Sequence, residues 1–198
     1  MAAHLSIQLP FAKLSQWQQI AFCAALIERM LPNYKMFAEN SGEGEPKVLR
    51  NQLDLVWQWL DKNNRTKINY DAQLLKLEDQ TPDPDAHDFF GVYSALDAAM
   101  AIMSLFSAMQ DKESDGVSNV SRLSENTVSA YVALLIEESN ERITEDAIDE
   151  HPLMQWEIAT QNELFDFLSN APENKKSCLA AKELILEEGL SNLGIEIG

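Results

Sequence analysis

Asp111, Glu113 and Asp115, followed by Gly116, stand at the spacing of the first ligands and turn glycine of an EF-hand calcium loop. Such a loop closes on a bidentate Glu at its twelfth position, because that one side chain supplies two oxygens to the metal. Arg122 occupies that place, and a cation there opposes the metal. Position three carries Glu113 in place of Asp or Asn, and Ser118 stands where an aliphatic residue belongs. The stretch is better read as a solvated turn between helices, with Gly116 supplying a positive φ at a helix end. A second group, Asp83, Asp85, His87 and Asp88 in "TPDPDAHD", could hold a divalent cation. The favoured expectation is a proline-stiffened loop in which Asp85 or Asp88 caps the helix that follows.

Other metal and cofactor chemistry finds no residues. A di-iron bundle needs Glu-x-x-His on two helices. The histidines are His4, His87 and His151, and three residues before them stand Met1, Pro84 and Ile148. HExxH, Walker, GxGxxG and GxSxG motifs are absent. No catalytic, cofactor-binding or metal residue is therefore assigned, and no cofactor is expected.

What remains is a set of polar residues inside apolar runs. Glu28 and Arg29 interrupt "AALIERMLPNY", and Asp97 interrupts "GVYSALDAAMAI", where it shares a helical face with Tyr93. Buried polar groups need partners, since an unpaired one costs on the order of 1–3 kcal/mol. The preferred reading is a structural anchor between Asp97 and Arg29. The alternative is an enzyme or small-molecule site in a polar pocket around Glu28, Arg29, Tyr93 and Asp97.

The elements that must position these residues are helical. Ser15 is an N-cap for a helix with Trp17, Ile20, Ala21, Ala24, Ile27 and Leu31 on one face. Pro32 is expected to begin a short second helix that ends at Gly42 and Gly44. Pro46 opens a helix with the stripe Leu49, Leu53, Val56, Trp57 and Leu60, which is either core or a dimer seam. Asp54 lies on its opposite, solvated face. Asn69 caps a shorter helix with Leu74 and Leu77 inward. The most apolar segment, "FFGVYSALDAAMAIMSLFSAMQ", is the expected central element. A helix follows from "TVSAYVALLIEES", then an acidic stretch, then helices opened by Pro152 and Pro172. The tail "LSNLGIEIG" is apolar enough to fold back on the body. The pattern predicts one all-α domain over residues 1–198, a bundle of about seven helices with short connections.

Bulk properties narrow the partners. Lys and Arg number 15 against 32 Asp and Glu, for a formal charge of −17. That field repels phosphate backbones and anionic membrane surfaces, so neither nucleic acid nor membrane is expected. No basic region precedes an apolar run at the N-terminus, and Pro10 interrupts it. The two cysteines, Cys23 and Cys178, make no disulfide framework, and Cys23 in "IAFCAALI" reads as a small buried hydrophobe. A cytoplasmic location is expected.

The runs "WQQIAFCAALIERMLPNYKMF", "LDLVWQWL", "KINYDAQLLKLED", "DFFGVYSALDAAMAI", "HPLMQWEIATQNELFDFL" and "SNLGIEI" together resemble the YjaG-like family of bacterial proteins, a domain-of-unknown-function group. The resemblance spans essentially the whole chain. It implies a cytoplasmic, all-α, bundle-like domain and carries no activity, cofactor or catalytic residue. The functional expectation is therefore a soluble, acidic helical module without catalysis, binding another protein or itself. Trp59 and Trp156 are aromatic positions that such a partner could cover.

Overall fold

The computed structural model describes residues 7–64 and 66–197; His4 lies outside them. Eight α-helices are found among the described residues: α1 (Gln16–Ser41), α2 (Pro46–Leu60), α3 (Tyr70–Glu78), α4 (Gly91–Gln110), α5 (Gly116–Glu138), α6 (Glu145–Asp149), α7 (Pro152–Asn170) and α8 (Lys175–Leu186). No strand occurs among them beyond one isolated antiparallel bridge between Leu190 and Glu196. The all-α bundle expected from the hydrophobic periodicity is what forms.

Local chemistry explains most boundaries. Ser15 and Gln18 make a reciprocal capping box, each side chain accepting from the other's backbone N–H. Asn69 caps α3 by accepting from Ala72 N, and Pro46 and Pro152 occupy first-turn positions where a missing N–H costs nothing. His151, held extended by the proline after it, caps α7 through Nδ1, which accepts from Leu153 N. Gly42, at φ 74°, ends α1 in the left-handed region.

Several expectations need correction. α1 runs unbroken through Pro32 to Ser41, so there is no separate second helix there. Pro32 forfeits one hydrogen bond, to Glu28 O, and packing on both flanks outweighs that loss. α5 starts at Gly116, so most of the supposed calcium loop is helix; only Asp111–Asp115 is turn, and Arg122 lies exposed on α5. Pro172 does not open α8, which Asn174 caps by accepting from Ser177 N. Neither Asp85 nor Asp88 caps α4, whose N-cap position is Phe90; Asp83 instead caps a single 3-10 turn, Pro84–Ala86.

The central element is α1, not α4. Every residue from Ile20 to Met30 is buried, and α1 packs against α2, α4, α5, α7 and α8. A helical stretch with no exposed face must be surrounded, and for Ile20–Met30 that is what the arrangement supplies. Leu49, Leu53, Val56, Trp57 and Leu60 of α2 all join this core, so the stripe is interior rather than a seam between molecules. A smaller apolar cluster, built on Val128, Val132, Ile136, Met154 and Leu193, sits where α5, α7 and the tail meet. Among the described residues α4 is the one helix long and apolar enough to cross a membrane; 61 % of its apolar window is buried in the fold, as suits a core helix.

The α4–α5 contact is unusually close. A Cβ on Gly116 would stand 2.3 Å from Ser104 O and 2.8 Å from Ala108 N. Gly116 is not at positive φ, so contact, not backbone conformation, demands glycine there.

Candidate functional site

Glu28 and Arg29 are neighbours on α1, and about 100° of helical rotation sends them to different partners. Glu28 faces α2 and α8. Arg50 clasps its carboxylate with both terminal nitrogens, Nη1 to Oε2 at 2.6 Å and Nη2 to Oε1 at 3.0 Å. The Trp57 indole N–H donates to Oε1 at 2.7 Å, and Lys182 Nζ lies 3.4 Å from the same oxygen. Burial alone would raise the Glu28 carboxyl. The hydrogen bonds and charge of Arg50, with Lys182 and Trp57, outweigh it and hold the group below its ordinary value. Lys182 also sits 4.5 Å above the Trp57 ring, and Arg50 Nη2 reaches Asp54 at 2.7 Å.

Arg29 turns the other way, into α7. Its Nη1 donates to Glu157 Oε2 at 2.9 Å, with both side chains at 0 % exposure. Its guanidinium lies 4.2 Å from the centre of the Trp156 ring. Glu157 Oε1 accepts from Ser124 Oγ at 2.6 Å and Gln161 Nε2 at 2.7 Å, so its lone pairs are well occupied. Ser121 donates to Gln161, and Asn192 of the tail donates to Ser124 and accepts from Asn33. Asn192 N donates to Arg29 O as well. A carboxylate saturated with donors and closed to solvent has no group to offer a substrate. The network's work is to hold α1, α5, α7 and the tail in register. Burial lowers the Arg29 pKa against the pull of Glu157, and Arg29 Nε and Nη2 have no hydrogen-bond partner among the described residues.

The four residues expected to gather in one polar pocket do not. Tyr93 is exposed on α4. Asp97, half-buried, accepts from Thr127 Oγ1 at 2.5 Å across the α4–α5 contact, and burial pushes its carboxyl up to about 6. Arg29's ion pair is with Glu157, so the Asp97–Arg29 anchor does not form. Trp59 and Trp156 are half-buried rather than free, Trp59 against the core and Trp156 beneath Arg29. Residues 83–88 make no metal cluster among the described residues. His87 instead meets Glu43 at 3.1 Å, with its ring edge-on to Phe37 and Phe89.

Of the four, Glu28 lines an open groove. A groove of about 690 Å³ runs between the second half of α1, the start of α2, the end of α8 and the tail. Its walls are apolar: Leu31, Pro32, Met36, Pro46, Leu186 and Ile197. Charges of both signs stand at its rim, Lys35 and Glu39 as a pair, Lys47 and Glu196 separately, with Arg50 and Glu28 at one end. A smaller cavity of about 360 Å³ adjoins the far side of the Glu28 cluster, lined by Trp57, Cys178 and Lys182 among others. Cys178 is buried there with its thiol pushed up to about 11, first by burial and then by Asp61, so it is a poor nucleophile. Cys23 is fully buried and raised further still. The sequence carried a signal for the buried network, because Glu157 and Gln161 share the helical spacing of Met154, Leu164 and Leu168. The tail folds back on the body as its apolar residues led one to expect, with Leu193 and Ile195 in the smaller apolar cluster, but the part that buried Ser191 and Asn192 play in the polar network had no signal in the sequence.

The class defined by this fold is a bundle of eight helices among the described residues, with an enclosed ion pair between Arg29 and Glu157 and an open apolar groove. The chain belongs to the DUF416 family, described as a protein of unknown function, whose profile matches residues 6–196. It is 32 % identical over 190 residues to the uncharacterized protein YjaG of Escherichia coli (strain K12), covering 96 % of this chain and 95 % of that one. An uncharacterized protein of Haemophilus influenzae is 36 % identical over 186 residues, covering 92 % and 93 %. The crystal structure of a DUF416 family protein from Shewanella baltica superposes with a TM-score of 0.84 at 35 % identity, covering 96 % of this chain and 100 % of that one.

Proposed function

We propose that this protein is a cytoplasmic, non-catalytic binding module that takes an apolar segment of another protein into the groove between α1, α2, α8 and the tail. The groove itself carries the reading: an open trough of about 690 Å³ walled by Leu31, Met36, Leu186 and Ile197 in a chain of net charge −17. Apolar walls with both signs of charge at the rim suit a peptide, whose side chains anchor in the trough while its polar groups meet the edge. Nucleic acid and anionic membrane are disfavoured by the overall field.

Peptide display against the full chain tests this. Enriched peptides should carry Leu, Ile, Met or Phe at helical or alternating spacing. They should bind at least tenfold more weakly to the Ile197→Glu variant, and unchanged to Leu75→Glu, at an exposed α3 position outside the groove lining. Enrichment no better than background, or equal binding to Ile197→Glu, overturns the proposal.

A further inference from the structure

The tail that walls one side of the groove folds back on itself as a short two-stranded turn. Ser191 N donates to Ile195 O at 2.8 Å and Ile197 N to Gly189 O at 2.9 Å, which pairs Leu190 with Glu196 in the antiparallel bridge. Both bonds come from the neighbours of Glu196, so its own N–H and C=O point the other way, out of the pair. Neither of those groups has a hydrogen-bond partner among the described residues. Ile195, Glu196 and Ile197 line the groove, and residues 189–191 do not. The paired strand therefore lies on the far side, and the free edge at Glu196 borders the groove. That edge is held in place from behind. Buried Asn192 is bonded to Arg29 O, Ser124 and Asn33, and Leu193 and Ile195 pack into the smaller apolar cluster.

We propose, resting on the groove reading above, that the occupant is an extended strand added to the tail at Glu196, with Lys or Arg opposite Glu196 and an aliphatic residue on each side. A strand added there lies about 4.8 Å from the tail and takes up both free backbone groups. Because the tail is already anchored, those groups need no further ordering to receive it. Side chains alternate along a strand, so Ile195 and Ile197 share the face that lines the groove while Glu196 points to the other. The incoming strand alternates in step. Its residue opposite Glu196 stands on the solvent side with the carboxylate, and its two flanking residues go down beside Ile195 and Ile197. Opposite charges directly across two strands stabilise the pair and like charges destabilise it. The same rule disfavours a second copy of this edge, which would set Glu196 against Glu196. A helix laid in the groove satisfies its own backbone groups internally and would leave those of Glu196 to water.

A fluorescent peptide, Ser-Thr-Ile-Lys-Ile-Thr-Ser, titrated by anisotropy with the full chain up to about 1 mM, should bind. A methyl on the amide of its Lys should weaken binding about tenfold if the strand runs antiparallel, and a methyl on the amide of its second Ile should do so if it runs parallel. The other methyl should cost little, because that amide faces away from the tail. Glu196→Pro removes the N–H and leaves the two bonds of the bridge intact; it should weaken the peptide about tenfold with helicity unchanged. Glu196→Lys should shift the preference between this peptide and its Glu-centred counterpart about fivefold towards the latter, relative to wild type. An equal effect of the two methyls, large or small, overturns the strand; if Ile197→Glu still weakens the peptide, the groove reading stands. Failure of this peptide to bind where displayed helical peptides do has the same result. Binding indifferent to Ile197→Glu as well, or no binding by any peptide, overturns both.

Discussion

Adjacent polar residues on a buried helix need not serve one purpose. Glu28 and Arg29 are both marked by the sequence as intrusions into an apolar run, and both are buried and ion-paired. Their partners were not legible. Arg29 pairs across 128 residues of chain with Glu157, and Asp97, which the sequence offered as its mate, belongs to the α4–α5 contact. Periodicity tells which side of a helix a residue occupies and leaves open which helix stands opposite. Asp97 allows a direct test. Its folded-state pKa is raised, from 3.8 to about 6, by burial against the bond from Thr127. Below the unfolded value both states hold the proton and nothing is lost. Between 3.8 and about 6 the unfolded chain releases it first, so stability falls as pH rises, and above about 6 the loss is complete. At 1.36 kcal/mol per unit the ceiling is about 3 kcal/mol, reduced because water reaches this half-buried side chain. Asp97→Asn keeps an acceptor for Thr127 and removes the charge. Its melting temperature should exceed wild type by several degrees at pH 7.5, at about 2–4 °C per kcal/mol, and match it at pH 4. A variant less stable at pH 7.5 would show that the carboxylate is a favourable partner there.

At the scale of elements, capping residues and first-turn prolines were read correctly at Ser15, Asn69, Pro46 and Pro152, and wrongly at Pro172, where Asn174 is the cap, and at Asp85 and Asp88. The larger errors fall where tertiary packing overrides a local rule. Pro32 breaks helices in isolation, but α1 is walled in by five others and continues. The Asp111–Arg122 stretch has turn composition, yet Val117, Val120, Ser121 and Ser124 form a buried helical face that draws α5 back to Gly116. Gly116 looked like a turn glycine and is a contact glycine. The two roles make opposite predictions for Gly116→Ala. A glycine kept only for a loose turn could be replaced at little cost, and a Cβ generally favours a helix. Here the added methyl meets backbone atoms of α4, at 2.3 Å from Ser104 O, and neither helix can yield without disturbing Ala108. The variant should lose about 1–3 kcal/mol or more, read as a lower urea midpoint with an unchanged slope. A gain in stability would mean that α4 and α5 can separate freely.

For the whole molecule the dominant quantity is the charge of −17. Composition shows it at once, but its consequences depend on where the charges sit. Lys62–Glu173, Lys175–Asp61 and Lys35–Glu39 are surface pairs that salt would weaken, and such pairs contribute roughly 0–1 kcal/mol each. The excess of acids acts over a longer range and opposes compaction at low ionic strength. At about 10 mM salt the screening length is about 30 Å, enough to span the molecule, and at about 0.1 M it is about 10 Å. Screening therefore removes more repulsion than attraction. The melting temperature should climb between about 10 and 300 mM sodium chloride, most steeply below 0.1 M. A fall would put the ion pairs in charge instead. The groove is affected differently, since its apolar walls lie among charges that largely balance. Peptide affinity there should change little over the same range.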